Sequence, residues 1–271
     1  MIDTHLHLWD TARLSYSWLG GDPRLNRPVT ELDLTLRTAD GRWVVLVEAD
    51  VDVPHAESEA RWLSRLTQEQ AAVYGFVAAV RLTDPHLGRT LDRLQALPGL
   101  VGVRHLLQGT TLMADHRREV IRGLDELHRR GLPFDACVRA GQLDELRRLL
   151  ADTSGGPVVL DHMGKPPVGD PRAMDSWREH LAALSELPHV TCKLSGLPAE
   201  CSTPEELQQA LEPVVGHAID CFGPRRCLVG SDWPVSDPDF DWCTRVIGLV
   251  PAPNRDDVAE TTALTTYRRL P

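Results

Sequence analysis

Eight short runs of apolar, mostly β-branched residues recur along the chain, at 1–7, 43–50, 73–80, 100–106, 133–138, 157–162, 189–195 and 227–231. Longer stretches separate them. Runs such as Val44-Val45-Leu46-Val47 and Pro157-Val158-Val159-Leu160 are nearly continuous rather than alternating, as expected of strands covered on both faces. The stretches between them carry helical spacing. Ala56, Ala60, Leu63 and Leu66 fall on one face over 54–70, Val120, Ile121, Leu124 and Leu127 over 116–130, and Leu143, Leu146, Leu149 and Leu150 over 142–151. Thr203-Pro204-Glu205-Glu206 reads as an N-cap followed by proline at the first helical position. Alternation of this kind means parallel strands joined by crossover helices. Eight such units in 271 residues match the roughly 250 that a closed barrel needs. The sequence therefore predicts a single (β/α)8 TIM barrel over 1–271. An open doubly wound sheet would share the alternation, but no Gly-rich phosphate turn follows the first run.

Charge and cysteine usage narrow the class. With 29 Lys plus Arg against 39 Asp plus Glu, the formal charge is −10. A nucleic-acid or anionic-membrane surface would need a basic patch instead. No apolar run is long enough to cross a bilayer. The opening Met1-Ile2-Asp3-Thr4-His5 lacks the apolar core of a secretory signal. Cys137, Cys192, Cys201, Cys221, Cys227 and Cys243 form no CxxC pair, and Cys137 and Cys192 fall inside expected strands, where free Cys acts as a small apolar residue. A reduced, cytoplasmic protein is expected.

The polar residues with chemical potential gather at the ends of the strand-like runs, the barrel face where active sites are built. His5 and His7 close the first run. Period-two alternation points both imidazoles to one side, a pair that suits zinc. Glu48 ends the second run, and Arg104 and His105 the fourth. Asp135 lies in the fifth. Asp161-His162-Met163-Gly164-Lys165-Pro166 ends the sixth, Lys193-Leu194-Ser195-Gly196 the seventh and Gly230-Ser231-Asp232-Trp233-Pro234 the eighth. One such residue has a structural excuse: Glu48 can pair with Arg104, Asp135 can cap a loop. Charged or imidazole groups at seven of eight ends point to catalysis. Asp161 alternates to the side of the strand opposite His162. Lys193 either lines the mouth with Ser195 or partners a barrel carboxylate. Lys165 either reaches substrate or is a solvated loop charge, and Trp233 packs beside the site or belongs to the core. The long segment 8–28, with Trp9, Tyr16 and Trp18, is either a substrate wall or an ordered loop that tucks its aromatics away.

Taken together, Asp3-Thr4-His5-Leu6-His7-Leu8-Trp9-Asp10, Gly102-Val103-Arg104-His105, the Asp161 and Asp232 motifs and Cys192-Lys193-Leu194-Ser195-Gly196-Leu197 resemble the lactonase branch of the amidohydrolase superfamily. That branch includes L-fucono- and L-rhamnono-lactonases and pyrone-dicarboxylate lactonase. The resemblance spans nearly the whole chain. It implies that His5, His7 and His162 are the family's strand-end histidines, that Asp232 is the general base on water, and that Arg104 lies near the substrate carbonyl or carboxylate. Binuclear members of the wider superfamily carry a bridging Lys or Glu after the fourth strand and a His after the fifth. Arg104 and Asp135 stand nearest those places, so at most one divalent ion is expected. Zinc is the first choice, held by His5, His7 and Asp232 with or without Glu48. The branch also has members that work without metal.

On this reading the protein opens a small aldono-type lactone with Asp232-activated water, His162 and Arg104 assisting and His105, Trp9, Trp18, Lys165 and Trp233 around the substrate. A metal-dependent decarboxylase or amide hydrolase on the same barrel is the nearest alternative. A barrel that only binds a sugar acid is another, and it would be expected to lack the base or the HxH pair. A serine hydrolase is disfavoured because no GxSxG elbow is present.

Overall fold

In the computed structural model, which describes residues 1–236 and 242–268, eight parallel strands follow one another around a barrel in sequence order. They are β1 (Ile2–Leu6), β2 (Trp43–Val47), β3 (Val73–Ala79), β4 (Leu100–Leu106), β5 (Phe134–Cys137), β6 (Val158–Leu160), β7 (Val190–Leu194) and β8 (Cys227–Val229). The surrounding helices are α1 (Glu31–Arg37), α2 (Ala56–Glu69), α3 (Leu87–Gln95), α4 (Leu112–Asp115), α5 (Arg117–Arg129), α6 (Leu143–Ala151), α7 (Pro171–Ser185), α8 (Pro204–Phe222), α9 (Trp242–Leu249) and α10 (Thr262–Thr266). The expected (β/α)8 barrel is thus the observed one. The N-cap read at Thr203 is present: its side chain accepts from the Glu206 amide at 3.2 Å and Pro204 opens α8. No helix among the described residues is long and apolar enough to cross a membrane, and all six cysteines are free thiols.

Two apolar layers hold the barrel. The larger lies between strands and helices, where outward residues such as Leu46, Phe76, Val103 and Leu160 meet Leu63, Leu91, Leu124 and Leu146. The smaller fills the N-terminal end of the barrel with Ile2, Val45, Val47, Val77, Val101, Val159 and Leu228, closed from below by Ala263 and Tyr267 of the last helical segment. Nearly every one of these side chains is excluded from water, and burying each Val or Leu is worth roughly 1.5–3 kcal/mol.

The seam where β8 returns to β1 positions the site. The Asp232 amide donates to the His5 carbonyl (2.7 Å) and the His7 amide to the Trp233 carbonyl (2.9 Å). Thr4 Oγ1 donates to the Val229 carbonyl (2.7 Å). β1 carries an irregularity here: Asp3 pairs with Val44 but Leu6 with Leu46, one residue too many on β1. Such a bulge shifts the phase of the side chains. Ile2 and His5, three apart, consequently both face the barrel interior.

The strands end sooner than their apolar runs suggested. β6 stops at Leu160, and residues Asp161–Gly164 form a tight turn in which His162 and Met163 hold φ of 55° and 53°. Alternation no longer applies there, so Asp161 does not point away from His162. Both turn into the barrel mouth.

Candidate active site

The site is built from strand ends on the β1–β8 seam and the turns after β6 and β7. His5 Nε2 and His7 Nε2 lie 3.1 Å apart. The outer nitrogen of His7, Nδ1, faces the Val47 carbonyl at 3.0 Å. Asp232, in a left-handed conformation (φ 58°), places Oδ1 3.3 Å from His7 Nε2, 3.6 Å from His5 Nε2 and 3.9 Å from His162 Nε2. Its other oxygen accepts from the Ser236 hydroxyl. His162 is fixed from behind, Nδ1 meeting Ser195 Oγ at 2.9 Å. The chain passes so close to that ring that a Cβ on Gly196 (φ 72°) would sit 2.5 Å from His162 Nδ1. Gly230 plays the same part for His5, where a Cβ would come within 2.6 Å of the His5 Cβ.

Below the mouth, a polar column continues into the barrel. Lys193, fully buried, donates to His5 Nδ1 (3.0 Å) and to Asp135 Oδ2 (2.5 Å). Asp135 also accepts from the Tyr267 hydroxyl at 2.8 Å. Asp161 Oδ1 stands 3.1 Å from Lys193 Nζ and 3.3 Å from His5 Nδ1, and Oδ2 stands 3.7 Å from Arg104. Lys193 and Arg104 supply the opposite charge and His5 the third contact that hold Asp161 in place.

Burial and neighbours set the protonation states. Burial alone would raise the Asp232 carboxyl, but His162, His7 and His5 hold it well below the usual carboxylate range. Burial pushes His162 down to about 4 despite the pull of Asp232 and Asp161. Burial and then the Lys193 charge push His5 well below its usual value. Near neutrality the mouth thus holds an ionised Asp232 facing imidazoles of which His5 and His162 are neutral. Asp161, which burial would raise, is kept well below its usual range by Lys193 and His5.

A cavity of about 180 Å³ opens over this group, lined by His7, Trp18, Arg104, Gln108, Lys165, Asp232 and others. A second cavity of about 410 Å³ adjoins it, sharing Asp50, Arg104 and Leu106.

The residues singled out by sequence take different places around this cavity. His5, His7, His162 and Asp232 meet at one point, with Arg104 beside them. Arg104 is clamped by Glu48, through the carboxylate and the backbone carbonyl. The other Glu48 oxygen accepts from the Asp50 amide at 2.8 Å, so Glu48 is committed to holding Arg104 and stands outside the metal-compatible groups among the described residues. Segment 8–28 sends one tryptophan to the cavity and tucks the other away. Trp18 walls the cavity, its indole N–H donating to the Ala49 carbonyl (2.8 Å). Trp9 is fully buried behind it, donating to the Arg27 carbonyl (2.7 Å) and lying edge-on to Trp18. Lys165 lines the cavity. His105 lines the adjoining one, with Nδ1 accepting from the Leu82 amide at 3.3 Å. Trp233 is buried on the outer side under the Arg37 guanidinium, 4.5 Å from its ring. Lys193 partners a barrel carboxylate rather than lining the mouth. Sequence reasoning passed over Gln108, Asp50, Ser236 and Tyr267. Ser236 and Asp50 act on the near neighbours Asp232 and Glu48 through turns whose shape periodicity does not give, Gln108 lies just past β4 on the cavity wall, and Tyr267 reaches Asp135 from far along the chain.

His5, His7 and Asp232 each offer one ligand atom, all within 4.8 Å of one another, and His5, Asp161 and His162 form a second such group. Two imidazoles and a carboxylate make a donor set suited to one divalent ion with an open position.

Comparison with known proteins places the chain in a family. An L-fucono-1,5-lactonase from Burkholderia multivorans is 32% identical over 248 residues, covering 86% of this chain and 82% of its own. An amidohydrolase from Burkholderia multivorans, solved with bound HEPES and again with bound zinc, is 28% identical and superposes with TM-scores of 0.88 and 0.87 over 99% of both chains. The amidohydrolase family pattern matches residues 2–269. The chain belongs to the amidohydrolase family and is a hydrolase of that family.

Proposed function

We propose that the protein is a lactonase that opens a small sugar-type lactone to its hydroxy acid. The observation that carries this reading is one ionised carboxylate, Asp232, set against three imidazoles at the floor of a small polar cavity with one aromatic wall. The kinship with a protein named L-fucono-1,5-lactonase supports the substrate class.

Opening a lactone needs an activated water, a stabilised oxyanion and a proton for the leaving alkoxide. Asp232 takes the proton of water. It is ionised throughout the neutral range but is a weak base, so the electrophile must carry part of the load. Arg104, immobilised by Glu48, offers its remaining N–H groups to the carbonyl oxygen. His162, oriented by Ser195 and neutral at rest, stands 3.9 Å from Asp232, receives the proton that Asp232 took from water and passes it to the leaving ring oxygen. Trp18 gives the ring an apolar face, while Gln108 and Lys165 meet its hydroxyls. The adjoining cavity past Arg104 and Leu106 receives any substituent. His5, His7 and Asp232 would hold at most one divalent ion, zinc before others, which would lower the pKa of water and polarise the carbonyl. The donors already present support the same reaction without it.

The test is acid release from a panel of aldonolactones, including L-fucono- and L-rhamnono-lactone, followed with a pH indicator on protein of known metal content. Turnover of at least one lactone well above its spontaneous rate is expected. No acceleration with any of them would overturn the reading and turn attention to decarboxylation or amide hydrolysis on this barrel.

A further inference from the structure

Two contacts at opposite ends of the HxH pair fix where its protons lie. The His7 Nδ1 partner is the Val47 carbonyl at 3.0 Å, which can only accept. His7 therefore carries a proton on Nδ1. His7 Nε2 faces both His5 Nε2 at 3.1 Å and Asp232 Oδ1 at 3.3 Å; with a single proton on the His7 ring, His5 is the donor between the two rings and its own Nδ1 is bare. The other end gives the same answer independently. His5 Nδ1 lies 3.0 Å from Lys193 Nζ, and an ammonium has only donors. A proton on Nδ1 would face that ammonium directly. The competing partner, Asp161 Oδ1, is farther away at 3.3 Å.

This arrangement conflicts with metal capture. For His5 to join His7 and Asp232 around an ion, Nε2 must present a lone pair, so the ring proton must move to Nδ1. There it needs an acceptor, and Asp161 Oδ1 is the one within reach. Lys193 must turn off the ring toward Asp135 and Asp161, 2.5 and 3.1 Å away. The ring keeps one proton throughout and only its position changes. Carboxylates behind a histidine ligand favour metal by accepting that outer proton, and an ammonium in the same place does the reverse. We propose that Lys193 is a positioning residue that locks His5 with its proton on Nε2 and so opposes metal binding by His5, His7 and Asp232, while Asp161 favours it. The inference concerns protons and metal alone and stands whatever the substrate.

Two measurements test it. In zinc-free wild-type protein labelled with ¹⁵N-histidine, long-range ¹H–¹⁵N correlation reads the tautomer of each ring, with His5 assigned by its loss in His5→Gln. A bare Nδ1 and a protonated Nε2 are expected, and a proton on Nδ1 would overturn the proposal. Zinc affinity is then measured by competition with a chromophoric chelator. Lys193→Met is paired with Asp135→Asn, so that Asp135 is not left as a buried charge without its cation while Asp161 keeps Arg104 at 3.7 Å, and Asn still accepts from Tyr267. The double variant should bind zinc more tightly by about 10–100-fold, and Asp161→Ala more weakly by a similar factor. A double variant that folds and binds zinc no more tightly than wild type would refute it. Should the double variant fail to fold, the wild-type tautomer decides alone.

Discussion

Replacing Asp232 by Asn removes a charge and a proton acceptor while leaving most of the local bonding possible. An Asn keeps the size of the side chain beside the imidazoles 3.3–3.9 Å away, and its amide can donate to Ser236 Oγ, reversing the present bond. Asp232 is 4% exposed and bears little of the apolar packing. The loss of charge-assisted acceptance is offset by the removal of a buried charge, so stability should change by about 1 kcal/mol or less. The chemistry should respond far more. General-base assistance is typically worth about 10²–10⁴-fold, or roughly 2.8–5.6 kcal/mol at about 1.4 kcal/mol per decade. We expect kcat for lactone opening to fall at least 100-fold, with the far-ultraviolet circular dichroism and the melting curve nearly unchanged. Initial rates are best taken near pH 6.5, where spontaneous lactone hydrolysis is slow. A folded Asp232→Asn protein with kcat within tenfold of wild type would refute the assignment of the base. Glu48 would then be tested next, although Arg104 and the Asp50 amide already occupy its carboxylate.

Other consequences can be checked separately. In metal-free protein His162 titrates at about 4 and Asp232 is held down by its imidazoles, so kcat/KM should be flat between about pH 5 and 8; a limb near 7 would show that another group controls the reaction. Gly196→Ala drives a Cβ to 2.5 Å from His162 Nδ1 at φ 72°, which should cost about 1–3 kcal/mol of stability and lower kcat by displacing the ring; an unchanged Tm in thermal melts would contradict this. Trp18→Ala removes the apolar wall and should raise KM more than it lowers kcat, so equal effects in steady-state kinetics would place Trp18 in the chemistry itself. Glu59, buried behind the site and accepting from Tyr16 and the Ala49 amide, is raised by burial and Glu48 from 4.5 to about 8. The folded protein prefers it protonated, so its contribution to stability is full below about 4.5 and is lost as pH rises toward 8. Glu59→Gln keeps both accepted bonds and should raise Tm at pH 8 but not at pH 4.5; an equal shift at both would refute the reading.

The barrel and most of its functional face could be read along the chain because they follow from local periodicity. Continuous apolar runs bounded by helical spacing can bury both faces of each strand only in a parallel sheet, and eight of them leave a barrel. Strand-end positions then marked His5, His7, Arg104, His162 and Asp232 without any knowledge of three-dimensional contacts. What periodicity could not supply were the places where it breaks. The extra residue in β1 re-phases His5 against Ile2, and the left-handed turn at His162 brings Asp161 round to the side from which alternation had excluded it. Partner choice lay equally out of reach. Lys193 could have joined the mouth or a carboxylate. Only the packing that brings Asp135 from β5 and Tyr267 from the last helical turn into the barrel interior decides for the carboxylate, because a buried ammonium must be paired where it lies. That pairing sets Lys193 against His5, and with it the tautomer of a residue whose importance was plain from the fifth position of the chain.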